Sequence, residues 1–358
     1  MDWLPDTRST GVHGVRRSTG EHATDARELL GVVLLNLGGP DNLAAVEPFL
    51  RNLFADPDVI QLPALMRPFQ PLLARLIAQS RGPKARAAYE QIGGRSPIAD
   101  ESEAQAAGVA AALEPYGVRA HGVVAMGCWH PFSNEAVARL AALGITRAVA
   151  VPLFPHFSRS TTGSSFVALD RAVAEAAKAG THLELARVER YPTAPGYLDA
   201  LVDRVRAAAA LVPHADRATV PVLFSAHGLP EAYIQRGDPY LDEIRMTVAA
   251  VTQRLGLGER ARLCFQSRVG PQKWLGPTTE ETLEGVARAG YRSVVVVPVA
   301  FTGEHIETLQ EIDIVYKELA EKAGISCFAR ARTVGTHPAF LGALAELTLE
   351  AARARGWV

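Results

Sequence analysis

The sequence predicts an α/β fold of two similar lobes, each built on a parallel β-sheet, with a ligand cleft between them. Three observations carry this expectation. Apolar β-branched runs alternate with stretches rich in Ala, Leu, Glu and Arg, the alternation that builds parallel sheets with crossover helices. The runs are near-continuous rather than period-two, as strands covered on both faces are. The chain also repeats itself. Gly144-Ile-Thr-Arg-Ala-Val-Ala-Val-Pro152 lines up without a gap on Gly290-Tyr-Arg-Ser-Val-Val-Val-Val-Pro298, and Leu34-Leu-Asn-Leu-Gly-Gly-Pro40 pairs with Leu223-Phe-Ser-Ala-His-Gly-Leu-Pro230.

Taken in order, residues 1–28 mix Arg, Asp, Ser, Thr and Gly without an apolar stretch and read as a mobile tail, not a secretory signal. Strands are expected at 32–36, 122–126, 148–153, 183–187, 222–225, 262–266 and 293–301, and helices at 135–143, 197–211, 239–255 and 280–289. Pro40 and Pro152 stand 112 residues apart, Pro230 and Pro298 only 68, so the first half carries about 44 extra residues, placed at 46–96. The expected plan is an N-terminal lobe over 29–165 with that insertion and a C-terminal lobe over 166–330. A C-terminal helix in 331–358 packs back on the first lobe. Two such lobes make a cleft at the C-terminal ends of their strands, where open α/β sheets bind ligands.

Composition narrows the function. Of the 358 residues 48% are apolar and 21% charged, which excludes a disordered chain. Lys+Arg 37 against Asp+Glu 38 leaves no basic excess for a nucleic-acid partner. The longest strongly apolar run, 294–301, falls far short of the roughly 18 residues of a spanning helix. Cys128, Cys264 and Cys327 are scattered, which disfavours disulfides and leaves one chain short of a four-thiolate cluster. No P-loop, G-x-G-x-x-G after a strand, G-x-S-x-G or H-E-x-x-H is present, so nucleotide-fingerprint, serine-hydrolase and zincin chemistry are disfavoured.

Three features remain. His227 sits in Phe224-Ser-Ala-His-Gly-Leu-Pro230, straight after a strand, where a side chain enters the cleft; as a lone turn histidine it could equally bond backbone. Glu304, His305, Glu307, Glu311 and Asp313 crowd the segment after the last long strand. On a helix Glu304, Glu307 and Glu311 share a face, and like carboxylates so placed call for a cation or protons. The set suits a divalent metal such as Fe²⁺ and equally a His/Glu pair removing a proton. The third is the lip, 62–80. Leu65, Met66, Phe69, Leu72, Leu73, Leu76 and Ile77 recur at helical spacing, with the helix proper starting near Pro71. It reads as a packed helix, or as an apolar edge for a large flat ligand or a membrane surface. Arg81 and Lys84 follow, then Tyr89 and Ile92-Gly-Gly-Arg-Ser96-Pro97, basic groups that suit carboxylate tails on an apolar ligand.

At this point the sequence resembles the ferrochelatases. The motifs are Leu35-Asn-Leu37-Gly-Gly-Pro40, Ile92-Gly-Gly-Arg-Ser-Pro97, Ser160-Thr-Thr-Gly-Ser164, Ser225-Ala-His-Gly-Leu-Pro230, Gln266-Ser-Arg-Val-Gly-Pro-Gln-Lys-Trp-Leu-Gly-Pro277 and His305-Ile-Glu-Thr-Leu309, in order over most of the chain. The resemblance implies two Rossmann-like lobes, each a four-stranded parallel sheet flanked by helices in the chelatase manner. It implies insertion of Fe²⁺ into a porphyrin, the last step of haem formation, by a lyase without a permanently bound cofactor. His227 and Glu307 match the family's catalytic and metal-handling pair, with Glu311 and Asp313 an acidic path for the metal. Leu37, Arg81, Lys84, Tyr89, Ser96, Trp274 and His305 match positions around the porphyrin.

Departures sharpen the expectation. Val315 stands where some members continue the acidic path, and Gly127 and Cys128 where many carry Arg and Tyr. Arg159 stands where cluster-bearing members have a cysteine, so no iron–sulfur cluster is expected. Leu37 stands where the coproporphyrin-using branch has tyrosine, which points to protoporphyrin IX. A coproporphyrin III ferrochelatase, a sister cobalt chelatase and a non-catalytic porphyrin or haem carrier stay open. The expected partners are the porphyrin and Fe²⁺, with no nucleic acid. A cytoplasmic monomer is expected, touching the inner face of the membrane weakly through the lip.

Overall fold

The computed structural model describes residues 29–57, 64–268, 270 and 272–358. The tail at 1–28 and the first two positions of the lip lie outside the described residues, as does the Leu65 side chain. The first half runs β1 (Leu30–Asn36), α1 (Val46–Ala55), α2 (Gln70–Gln91), α3 (Ile98–Leu113), β2 (Ala120–Met126), α4 (Ser133–Ala142), β3 (Arg147–Pro152), α5 (Ser164–Lys178) and β4 (Glu184–Arg187). The second runs α6 (Pro195–Ala209), β5 (Val222–His227), α7 (Glu231–Gln235), α8 (Tyr240–Leu255), β6 (Ala261–Gln266), α9 (Thr279–Arg288), β7 (Ser293–Pro298), α10 (Lys317–Lys322), β8 (Cys327–Arg330) and α11 (Pro338–Ala354).

Each half forms a four-stranded sheet, ordered β2-β1-β3-β4 and β6-β5-β7-β8, parallel throughout. The orders correspond strand for strand, as the sequence repeat requires, and because β4 pairs with β3 the first lobe runs past the boundary expected at 165/166. Two of the shifted boundaries bear on the site. β5 runs on to His227, which pairs with Gln266 at the end of β6, so the histidine closes the strand rather than following it. β7 stops at Pro298, and the last bond to β5 is the Val299 N–H donating to the Ser225 carbonyl (3.1 Å). The resemblance implied a fourth strand in this sheet, but the position of β8 was not read: as a short, half-exposed edge strand it carries no apolar run.

Helices cover both faces of each sheet, so β1, β5 and β7 are buried almost throughout and read as continuous apolar runs. One hydrophobic core spans both lobes, joining Val32, Leu34 and Val149 to Phe224, Val295 and Val297 through Tyr197, Leu201, Phe340 and Leu344. The last four belong to α6 and α11, which pack on each other, while α11 also packs on α3. The phenol of Tyr197 is buried with its OH donating to the Val299 carbonyl (2.9 Å), which removes the cost of an unpaired buried hydroxyl.

The insertion at 46–96 forms α1, a 3₁₀ segment (Ala64–Phe69) and α2. Helix α2 is turned inside out. Ala74, Ala78 and Gly82, at i, i+4, i+8, are buried against α1, while Phe69, Leu72 and Leu76 point outward with 58%, 59% and 56% of their surface exposed. Small residues inward let the two helices approach closely and leave the large apolar ones in solvent. That is the reverse of an ordinary surface helix.

Candidate active site

His227 reaches the cleft because β5 delivers it there and Gly228 lets the chain turn. A Cβ at Gly228 would lie 3.0 Å from the Gln266 carbonyl and 3.3 Å from the Trp274 ring, so only glycine fits without displacing its neighbours. This places Trp274 beside His227. The Tyr240 hydroxyl donates to the His227 carbonyl (2.9 Å) and holds the strand end.

From the other side comes the segment after β7. Glu307–Tyr316 is wound as a π-helix, a form that concentrates at functional sites. Glu307 begins it, and its Oε2 accepts from His227 Nδ1 (3.1 Å) and faces His305 Nε2 (3.5 Å). The Nδ1–H of His305 is committed to the Gly303 carbonyl (3.2 Å). One turn on, the Glu311 carboxylate accepts from Ser267 N (3.0 Å), Gln266 Nε2 (3.2 Å), the Tyr316 hydroxyl (2.7 Å) and the Ser267 hydroxyl. Ser267 holds φ at 65°, a left-handed conformation unusual for a residue with a Cβ, and thereby aims its N–H at Glu311.

The shared face expected for Glu304, Glu307 and Glu311 does not form. Glu304 precedes the helix and is buried on Arg330 (3.0 Å), because the π-winding starts only at Glu307. Asp313 turns the same way, onto Arg330 Nε (2.6 Å). The wider turn of a π-helix keeps i and i+4 together and carries i+6 round the axis.

The two neighbouring carboxylates are driven apart. Burial pushes Glu307 up, but His227 and then His305 outweigh it and hold the carboxyl well below its ordinary range. Burial and then the Glu307 charge push Glu311 above it. Burial opposes a charge on His227, yet Glu307 and Glu311 prevail and raise its pKa. Such divergence between adjacent titratable groups marks sites of acid–base work.

The first lobe supplies an apolar wall. Leu37, Trp129 and Ile306 pack on a cluster that includes the buried Tyr89, which is close enough for the Glu307 charge to add to the effect of burial on its phenol. Ser96 is buried in the turn behind Gly39, its N–H donating to the Pro40 carbonyl (2.8 Å). Arg81 and Lys84 lie on the exposed side of α2, the Arg81 guanidinium 5.8 Å from the Phe54 ring centre. The structure thus gathers His227, Trp274, His305, Glu307 and Glu311, with Leu37 and Tyr89 on the facing wall, and leaves Asp313, Ser96, Arg81 and Lys84 apart. Sequence reasoning passed over Gln266, Ser267, Tyr316, Tyr240 and Arg330. The signal for the first was available, since Gln266 ends the strand next to His227. Among the described residues no three His, Cys, Asp or Glu side chains form a group that could hold a metal ion.

Comparison with known proteins identifies the family. Residues 30–352 match the ferrochelatase family. The chain is 45% identical over 323 residues to a ferrochelatase of Nostoc sp., covering 90% of this chain and 82% of that protein. It is 44% identical over 321 residues to one of Geotalea daltonii, covering 89% and 97%. Among solved structures, SirB from Bacillus subtilis with Fe³⁺ superposes with a TM-score of 0.52 at 13% identity over 92% of this chain and 98% of SirB, a likeness of fold alone. With a whole-length family match and relatives of this closeness, the chain belongs to the ferrochelatases.

Proposed function

We propose that the porphyrin taken by this chelatase is protoporphyrin IX, that Fe²⁺ is inserted with release of the two pyrrole protons, and that His227 and Glu307 carry the reaction. The observation that supports this most is the chain of contacts His227–Glu307–His305 at the end of β5, opposite an apolar wall. A flat porphyrin resists an incoming ion because its nitrogen lone pairs lie in plane. Binding energy from the apolar body and propionates can offset bending of the ring, which exposes those lone pairs. His227, when neutral, accepts a pyrrole proton, and the resulting imidazolium is stabilised by Glu307. His305 faces the same carboxylate oxygen with Nδ1 already donated, so it can take a proton onward only at Nε2. Two protein donors, His227 and Glu307, suit a metal that is substrate and must be handed on, with Glu311 drawing it inward. Asp313, tied to Arg330, stands apart from that path.

Leu37, half-buried in the apolar cluster, and the small Gly127 favour a vinyl-bearing edge over additional propionates, with Arg81, Lys84, Tyr89 and Ser96 on the propionate side. The reading holds no iron–sulfur cluster: three cysteines are in the chain. Anaerobic incubation with Fe²⁺ or Zn²⁺ and either protoporphyrin IX or coproporphyrin III, followed by the Soret band, tests it. Faster turnover of coproporphyrin III overturns the substrate assignment, and binding without metal insertion makes the protein a carrier.

The lip supports a second element, transient contact of a cytoplasmic enzyme with a bilayer from which a poorly soluble porphyrin is loaded. No helix among the described residues is long and apolar enough to cross a membrane. Each exposed leucine adds only about 1.5–3 kcal/mol on full burial, so attachment is weak and reversible. The double variant Leu72→Ser, Leu76→Ser should raise the porphyrin KM and reduce liposome co-sedimentation. Unchanged values remove these exposed leucines from porphyrin capture and membrane contact.

A further inference from the structure

Each lobe reaches across and holds the loop of the other by the same device. Helix α3 is entered through Pro97-Ile-Ala-Asp-Glu101 and α8 through Pro239-Tyr-Leu-Asp-Glu243, at the same spacing and after the first strand of each sheet. Glu243 Oε2 accepts from the Phe157 N–H of the first lobe's loop (2.7 Å). Glu101 Oε2 accepts from the Glu304 N–H of the second lobe's loop (2.8 Å). Four residues further on, the second grip repeats as well. Thr247 Oγ1 meets His156 Nε2 (2.8 Å), and Gln105 Nε2 donates to the carbonyls of Thr302 (3.0 Å) and Gly335 (3.1 Å).

The two clamps carry different loads. Glu243 is braced by Arg190 (2.7 Å) and holds a loop whose His156 and Ser158 are buried. Glu101 holds the loop that ends in His305. The fit is close: a Cβ on Gly303 would lie 3.1 Å from Glu101 Oε2. One residue past Glu304, the His305 N–H donates to Thr308 Oγ1 (3.0 Å) and its ring faces Glu307. A shift of the Glu304 amide therefore moves the imidazole against the carboxylate that partners His227.

We propose that Glu101, from the opposite lobe, is a positioning residue that sets His305 and Glu307 for proton removal. It acts through the Glu304 amide. The inference rests on the reading of His227 and Glu307 as the reacting pair, and its test separates the two. Zn²⁺ insertion into protoporphyrin IX is measured for the wild-type chain and for Glu101→Leu, Glu101→Gln, Glu243→Leu and His227→Ala, with thermal unfolding of each. Misplacement of reacting groups by even a fraction of an ångström is costly, so Glu101→Leu should lose about tenfold in kcat with the porphyrin KM within about twofold. Glu101→Gln keeps an acceptor oxygen at the same reach and should return kcat to within about twofold of wild type. Glu243→Leu, the mirror-image change, should lower Tm more than Glu101→Leu and kcat less. Wild-type kcat in Glu101→Leu, equal damage from Gln and Leu, or a loss carried by KM overturns the positioning role. An active His227→Ala overturns the site reading and the inference with it. An inactive His227→Ala beside a fully active Glu101→Leu overturns the inference alone.

Discussion

In the first lobe the loop after β3 ends in a histidine sealed in the core, and in the second the loop after β7 ends in a histidine that opens on the cleft. The backbones correspond. Each strand closes on a proline, Pro152 or Pro298, and each loop enters a π-wound stretch, Arg159–Gly163 or Glu307–Tyr316. The partners differ. His156 has a threonine hydroxyl at Nε2, and burial pushes its pKa down to about 3, so it stays neutral and serves as packing. Ser158 and the Arg159 N–H are consumed by Asp238 (2.9 Å each). His305 instead shares a carboxylate with a second histidine. The same chain path thus sets a ring against a hydroxyl or against a carboxylate, and under the proposed mechanism only the second handles a proton.

Breaking the reactive side should cost most. His227→Ala should lower turnover about 10²–10⁴-fold, the range for a general acid–base group, with the fold retained by circular dichroism. More than about a tenth of wild-type activity removes His227 from proton transfer. Next, Glu307→Gln should cut kcat by about 10²-fold and also shift the pH profile. His227 must be neutral to accept a proton, so wild-type activity should rise as pH climbs through its raised pKa. Without the Glu307 charge, burial is opposed only by the more distant Glu311, and the acid limb should move to lower pH. An unmoved limb means that the observed titration belongs to another group.

Glu311→Gln should act more mildly, raising the metal concentration for half-maximal rate several-fold while kcat falls less than in Glu307→Gln. Equal losses in kcat with no change in apparent metal affinity dispose of the acidic path. The smallest effect on chemistry is expected in the other lobe. His156→Ala should leave kcat within about threefold while costing about 1–3 kcal/mol of stability by urea unfolding, the usual scale for emptying a buried polar site. A severe kcat loss at unchanged stability would show that the two loops are not divided as described.

The sheets were legible because buried parallel strands must be apolar on both faces, and the repeat of Gly144–Pro152 at Gly290–Pro298 fixed which strands correspond. β8 escaped because an edge strand of four residues needs no apolar run. His227 and Glu307 could be named from motif and placement. Their pairing came from the resemblance, because spacing cannot supply a contact between positions 80 residues apart. Glu304 was misread for a reason of geometry: spacing rules assume 3.6 residues per turn, and here the helix begins later and winds wider. The inverted burial of α2 was half visible. The sequence shows too many large apolar positions, but only α1 reveals that alanine and glycine form the inner face. Glu101 and Glu243 left no trace at all, because a carboxylate in the first turn of a helix is also ordinary favourable placement.

The core that runs unbroken through α6 and α11 has a consequence for how the molecule comes apart. Tyr197, Leu201, Phe340 and Leu344 belong to neither sheet alone. A half-chain would leave their apolar surface bare, although each half contains a complete sheet. Melting should therefore be a single cooperative event, with one denaturant midpoint for both halves. One midpoint would mean that a chain built from two copies of one plan is thermodynamically indivisible, so that neither copy folds when cut at the repeat boundary.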